Sequence, residues 1–378
     1  MGQYLMTTAS QAQPGPIANP HPLAGLVSLA DHEAQARELL DAATWAYCSG
    51  GAADEITLRA NRAAWDALAL RPRVLRPLAG LSLASQLLGR PLPCPMLVAP
   101  MAHQRLAHPD GELATAVAAA AVGAGMVLSQ QSNQPLEAVA RHFLADRDRG
   151  PFWFQLHALG ERGWLRELVA RAEAAGVEAL VLTVDAPLNG VRDRERRAGF
   201  TLPTGLATPH LPPSSAQHLG QLLAQAPGWD DVEWLQAHCR LPLLLKGVTH
   251  PDDADQACRL GVAGLIVSNH GGRVLDTMPA CATLLPEVAA AVAGRCALLV
   301  DGGIRRGTDV LKALALGADA VLIGRPVLHG LTNAGAAGVA HVLRLLQDEL
   351  AAAMALCGLR SMSETGPSCL QAQPGLRL

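Results

Sequence analysis

What most restricts the fold of this chain is a rhythm that sets in at Met96. Short apolar runs recur over 96–100, 126–129, 152–156, 179–185, 243–247, 265–269, 298–303 and 321–325. Apolar runs of this length, without clean alternation, read as strands of a parallel sheet covered on both faces. Between them, 111–122, 162–175, 251–260 and 308–316 carry helical periodicity, and several of these close on a glycine placed as a C-cap. Eight β-then-α units predict an α/β protein built as a (β/α)8 TIM barrel, whose site gathers at the C-terminal strand ends. An open doubly wound sheet is the structural alternative, but no GxGxxG follows the first strand.

Composition agrees with a large packed core and excludes several functions. Half of the 378 residues are hydrophobic and only 3% are aromatic, so Ala, Leu and Val must fill the interior. A net charge of −3 gives no bulk attraction for nucleic acid or anionic lipid, and neither is expected as a partner. The eight cysteines stand far apart with no CxxC pair, which predicts no metal site, no disulfide framework and a cytoplasmic protein with reduced thiols. The start of the chain shows no secretory pattern, and no run reaches the roughly 18 apolar residues of a membrane span.

Ahead of the barrel, residues 1–22 read as a mobile leader rich in Gln, Pro and Ala. Residues 23–95 read as N-terminal helices and an entry segment. A first helix is predicted over 31–45, then a turn from Tyr47 to Glu55, a second helix through Asn61 and Trp65, and proline-rich extended chain to Pro95. The barrel spans 96–360, and 361–378 are expected as a C-terminal tail.

Chemistry is concentrated where the apolar runs stop. In LIVSNHGGRVLDTMPA, from Leu265 to Ala280, the sixth strand gives way to Ser268, His270, two glycines and Arg273. Histidine can act as a base near neutral pH, and a guanidinium can hold a carboxylate through two parallel hydrogen bonds. Other strand ends carry Ala102 and His103, Ser129 and Gln130, Gln155 and His157, Thr183 and Asp185, Lys246, Asp301 with Gly303, and Gly324 with Arg325. So many polar groups at a barrel mouth would lack partners without a ligand, which predicts a large polar cofactor. The groups after the seventh and eighth strands stand where barrels commonly bind phosphate. Lys246 reads either as a snorkelling surface residue or as a cation set against an electron-rich ring.

These stretches together carry a resemblance. SNHGGRVLDTMPA, VDGGIRRGTDVLKALALGADAVLIGRPVL, YCSGGAADEITLRAN, LAHPDGE and LTVDAP occur in the order found in the FMN-dependent L-2-hydroxy acid oxidase and dehydrogenase family, which the chain resembles over roughly 31–360. The resemblance implies FMN as cofactor, His270 as the group that abstracts a proton and Asp185 as its electrostatic support. Arg273, Arg192 and Tyr47 would bind substrate, with His157 at a position where the family usually has tyrosine. Pro100, Met101, Ala102, Ser129, Gln155, Thr183, Lys246 and Ser268 would contact the flavin and Asp301 its ribityl chain. Gly303, Arg305, Gly324 and Arg325 would hold its phosphate. The activity implied is oxidation of an L-2-hydroxy acid to the 2-oxo acid, with dioxygen or another molecule as electron acceptor. The residues are compatible with either hydride or carbanion chemistry. The resemblance also suggests a homotetramer.

Met101, His103, Gln130-Gln131, His157 and Leu188-Asn189 depart from the family pattern, all on the substrate side. They predict an ordinary cofactor site beside a non-standard substrate pocket, and keep open the oxidation of a larger tailored metabolite or peptide. Isomerase chemistry on the same scaffold is disfavoured by the His270 and Arg273 pair. A flavin-binding protein without turnover is the third class.

Overall fold

The computed structural model describes residues 22–157, 160–212, 219–224 and 226–372. The expected leader falls almost wholly outside them. Eight strands form one closed barrel: β1 (Met96–Val98), β2 (Gly125–Ser129), β3 (Phe152–Leu156), β4 (Ala179–Thr183), β5 (Leu243–Lys246), β6 (Gly264–Val267), β7 (Ala297–Val300) and β8 (Ala320–Ile323). Each pairs in parallel with its neighbour in sequence, and β8 closes on β1 with Val321 opposite Met96 and Ile323 opposite Val98. Six strands end short of the predicted runs, and after β5, β6 and β7 residues with positive φ turn the chain away: Gly247 at 108°, His270 at 57° and Gly302 at 88°.

Alternation along the strands sorts the core into two layers. Leu97, Val127, Trp153, Val181, Leu244, Ile266, Leu299 and Leu322 fill the barrel interior, while their neighbours pack against the surrounding helices. Leu87 and Leu92 join the interior layer from a hairpin, Ser85–Leu87 with Arg90–Leu92, inside the segment read as extended entry chain. Arg90 pairs with Glu178 just ahead of β4, so this hairpin plugs the end of the barrel opposite the strand C-termini.

The single first helix predicted over 31–45 is two: α1 (Leu29–Leu39) and α2 (Ala42–Ser49). Leu40 is extended, and the Asp41 carboxylate accepts the N–H groups of Ala43 and Thr44 at 3.0 and 2.9 Å, opening a new helix. Tyr47 therefore lies in α2 rather than in a turn. The next helix, α3 (Ile56–Asp66), has no cap of its own; Asp276 crosses from the barrel to accept the N–H groups of Asp54, Ile56 and Thr57. At the other end, the stretch read as a tail returns to the fold, where Leu370–Ala372 pairs antiparallel with Leu68–Leu70. Among the described residues no helix is long and apolar enough to cross a membrane.

Candidate active site

A cavity of about 360 Å³ opens at the C-terminal ends of the strands, within the size range of small-molecule sites. All the site residues predicted from sequence line it except Asp185 and Ser268, which stand behind His270 and Lys246.

The turn after β6 sets the chemistry. The Ser268 hydroxyl accepts the backbone N–H of His270 at 3.0 Å and a hydrogen bond from the Lys246 ammonium at 2.8 Å. Instead of pointing into the cavity, Ser268 ties the strand-end histidine to the strand-end lysine. His270 turns in the left-handed region and brings Nδ1 to 3.1 Å from Asp185 Oδ1. The next residues must be glycines: a Cβ on Gly272 would lie 2.6 Å from the Leu58 nitrogen, and the Gly272 carbonyl accepts the Ala52 N–H.

Charges beneath this turn support each other. Burial alone would raise the Asp185 carboxyl, but the His270 hydrogen bond and the charges of His270 and Lys246 hold it below the usual carboxylate range. Burial alone would lower the Lys246 ammonium; Asp301, at 3.1 Å, and Asp185 outweigh it and hold the group above its ordinary value. The lysine is therefore a buried, fixed cation at 4% exposure, not a snorkelling surface residue.

The expectation that the strand-end polar groups would lack partners needs correction. Ser129 donates to Gln155 Oε1 at 3.1 Å, and Gln155 Nε2 donates to the Thr183 hydroxyl at 2.9 Å. Strand neighbours in register satisfy one another, which no single-strand pattern reveals. Among the described residues, the buried strand-end atoms without a hydrogen-bond partner are Asp301 Oδ1, Asp185 Oδ2 and Arg325 Nε.

On the substrate side, Arg273 NH1 donates to the carbonyls of Tyr47 and Gly50 at 2.7 and 2.9 Å, and its guanidinium lies 5.2 Å from the Tyr47 ring centre. Arg192 Nε reaches the Arg273 carbonyl, and Glu195 stands 3.4 Å from Arg192 and 3.9 Å from Arg273. His157 donates its backbone N–H to Gln130 Oε1 at 2.7 Å, and burial together with His270 pushes its imidazole down to about 4. That ring is neutral at physiological pH. Sequence reading missed Phe200, which stacks on Tyr47 at 4.5 Å, and the roles of Glu195 and Asn61. No local motif marks them, because each acts across a long loop or from outside the barrel.

The far end of the cavity fits a phosphate. Gly303 has φ 82° and lies so close to α3 that a Cβ would meet the Asn61 carbonyl oxygen at 2.3 Å, so only bare backbone is possible there. Arg305 and Arg325 both line this end, and burial pushes both guanidinium groups below their ordinary values. For Arg325 the neighbouring cations Arg273 and Arg305 add to that effect, and Glu33, 3.9 Å from Arg305, opposes it only in part. The orphaned Arg325 Nε and Asp301 Oδ1 match a phosphate oxygen and a polyol hydroxyl in kind.

A closed barrel with a cationic, glycine-lined end after β7 and β8, a buried lysine and a His–Asp pair defines an enzyme built around a phosphate-bearing cofactor. The chain belongs to the FMN-dependent dehydrogenase family, whose model matches residues 36–372, and its cofactor is FMN. An L-lactate oxidase of Nostoc sp. strain PCC 7120 is 49% identical over 359 residues, covering 91% of this chain and 98% of the relative. The peroxisomal (S)-2-hydroxy-acid oxidase GLO4 of Oryza sativa subsp. japonica is 44% identical over 348 residues, covering 89% and 94%. The crystal structure of mandelate oxidase with (S)-2-phenylpropionate superposes with a TM-score of 0.84 at 42% identity, covering 93% of this chain and 99% of that one.

Proposed function

We propose that this protein oxidises an L-2-hydroxy acid to the 2-oxo acid, with dioxygen as final electron acceptor and hydrogen peroxide as co-product. The observation that carries the reading is that His270 and Arg273, from one turn, line the same cavity with Asp185 hydrogen-bonded behind the histidine. When bound, FMN supplies the two-electron acceptor. Gly303, Arg305, Gly324 and Arg325 would hold its phosphate, Asp301 its ribityl chain, and the β1 to β5 strand ends, from Pro100 to Lys246, its ring.

The residues then divide the work. Arg273 is anchored through NH1, while NH2, 3.9 Å from Glu195 and without a hydrogen bond among the described residues, would grip a substrate carboxylate. Tyr47 and Arg192 flank that carboxylate. With Asp185 ionised, the His270 Nδ1–H donates to it and Nε2 is left as the base that takes a proton from the substrate. The imidazolium so formed is stabilised by Asp185. Lys246 supplies positive charge at the cavity floor, where negative charge accumulates as electrons leave the substrate.

The test is anaerobic reduction of the yellow holoprotein. His270→Ala should keep the colour and lose bleaching by 2-hydroxy acids by about 10²-fold or more. Bleaching at the native rate in that variant would reject the assignment.

One group of observations favours a finer reading. Met101, His103, Gln131, His157 and Asn189 all line the cavity, and the His103 ring lies 6.4 Å from that of Tyr47. This supports a substrate with a larger or more polar side chain than glycolate or lactate, up to a tailored metabolite or peptide. Rapid bleaching by lactate would overturn it. The family resemblance supports a homotetramer, measurable by light scattering, and eight thiols with no disulfide support a cytoplasmic setting.

A further inference from the structure

Two cysteines on the side of the barrel remote from the cavity meet across two elements. Cys258 lies on the helix Pro251–Arg259 that follows β5, and Cys296 immediately precedes β7. Their sulfurs are 3.6 Å apart, in contact but unbonded, and both residues are half-buried. Cys48, Cys94, Cys281, Cys357 and Cys369 are buried, and Cys239 is half-buried and accepts a hydrogen bond from the Leu241 N–H. The Arg295 side chain is held beside the pair by Asp255 and by the carbonyls of Ala291 and Val292, close enough to interact with both thiols. The charge of a neighbouring guanidinium favours the thiolate form.

We infer that Cys258 and Cys296 form a peroxide-sensitive dithiol, a modification site that closes to a disulfide when hydrogen peroxide reaches it. The Cys258 thiolate attacks one peroxide oxygen, the O–O bond breaks to leave a sulfenic acid on Cys258, and the departing hydroxide takes up the proton the thiol had released and becomes water. The Cys296 thiol, already in contact, then forms the S–S bond and displaces the sulfenic oxygen as a second water. Two thiols are oxidised, one peroxide is reduced by two electrons, and no other reagent is needed. Burial and the adjoining Cys258 push the Cys296 thiol up, and the chemistry balances equally with the two sulfurs exchanged.

The bond would tie the helix after β5 to the entrance of β7, the two strands whose far ends carry the paired Lys246 and Asp301. It would cross-link the barrel without entering the cavity. The site itself does not depend on the proposed reaction; only its supply of peroxide does.

The experiment treats the holoprotein with reagent hydrogen peroxide, digests it with trypsin without reduction, and weighs the peptides. A linked pair of 247–259 with 296–305, lighter by two hydrogens than its parts and absent from Cys258→Ser and Cys296→Ser, is the expected result. In Cys296→Ser, a sulfenic acid trapped by dimedone should appear on Cys258. Oxidation without this linked peptide, or thiol loss only at Cys239, overturns the inference. A second arm replaces the reagent by turnover in air with and without catalase. Linkage by reagent but not by turnover counts against dioxygen as acceptor and leaves the dithiol standing.

Discussion

Asn61, on a helix outside the barrel, and Asn269, immediately before the active-site histidine, exchange amide hydrogen bonds at 2.8 and 3.0 Å. The same Asn61 accepts the Cys281 N–H at 3.1 Å, and its neighbours Arg62 and Trp65 donate to the carbonyls of Gly303 and Gly302. One face of α3 thus fixes two loops at once, the His270 turn after β6 and the phosphate-facing turn after β7. Replacing Asn61 by Asp keeps the acceptor but removes the donor to Asn269. We expect kcat to fall about tenfold, equivalent to about 1.4 kcal/mol, with KM nearly unchanged. Equal losses in both parameters would show that the contact serves folding alone.

Gly303→Ala should act on the cofactor end. The added methyl would overlap the Asn61 carbonyl and sit on a backbone at φ 82°. Purified variant should carry less flavin per chain and melt at lower temperature than the parent, by absorbance ratio and calorimetry. Full flavin occupancy would remove Gly303 from the proposed phosphate site.

Asp185→Asn separates orientation from charge. The amide can still meet His270, but it no longer stabilises the imidazolium that follows proton abstraction. Loss of about 10²–10⁴-fold in the rate of flavin reduction is expected, with flavin binding retained. Because the native carboxyl is held below the usual range by His270 and Lys246, its contribution persists above the unfolded value of 3.8 and fades only in stronger acid. A wild-type reduction rate between pH 6 and 8 should therefore show no limb from Asp185.

Acid should loosen the protein through a different residue. His32 is fully buried between α1 and the helix Arg325–Cys357, with Nε2 2.9 Å from His341 Nδ1 and Nδ1 3.0 Å from the Asn333 amide. Burial and His341 push it down to about 4, so the folded chain refuses a proton that the unfolded chain accepts near 6.5. Stability from this site is complete above pH 6.5 and falls as pH drops from there toward 4. Melting temperature should decline over that window, and His32→Gln should flatten the decline. An unchanged slope in the variant would assign acid sensitivity elsewhere.

The barrel was legible in the sequence because its signal is local. Each strand is an apolar run of a few residues and each helix repeats with its own period, so eight units could be counted from a linear string. The strand-end histidine, arginine, lysine and glycines were legible for the same reason: they sit where hydrophobicity stops. The split at Asp41 was missed because a capping carboxylate looks like any polar residue within a helical pattern. The hairpin 85–92 was missed because prolines hide a short strand pair whose apolar contribution is Leu87 and Leu92 in the barrel interior.

By itself, then, the order of residues determined the architecture and the chemical types at the mouth, since both depend on neighbours a few positions apart. Tertiary structure alone decided which of those polar groups satisfy each other and which face the cavity. Ser129, Gln155 and Thr183 meet only through strand register, and Asn61 reaches Asn269 across more than 200 residues of chain. A hydrogen bond needs its partners within about 3 Å and correctly aimed, and closure of the barrel is what brings them there.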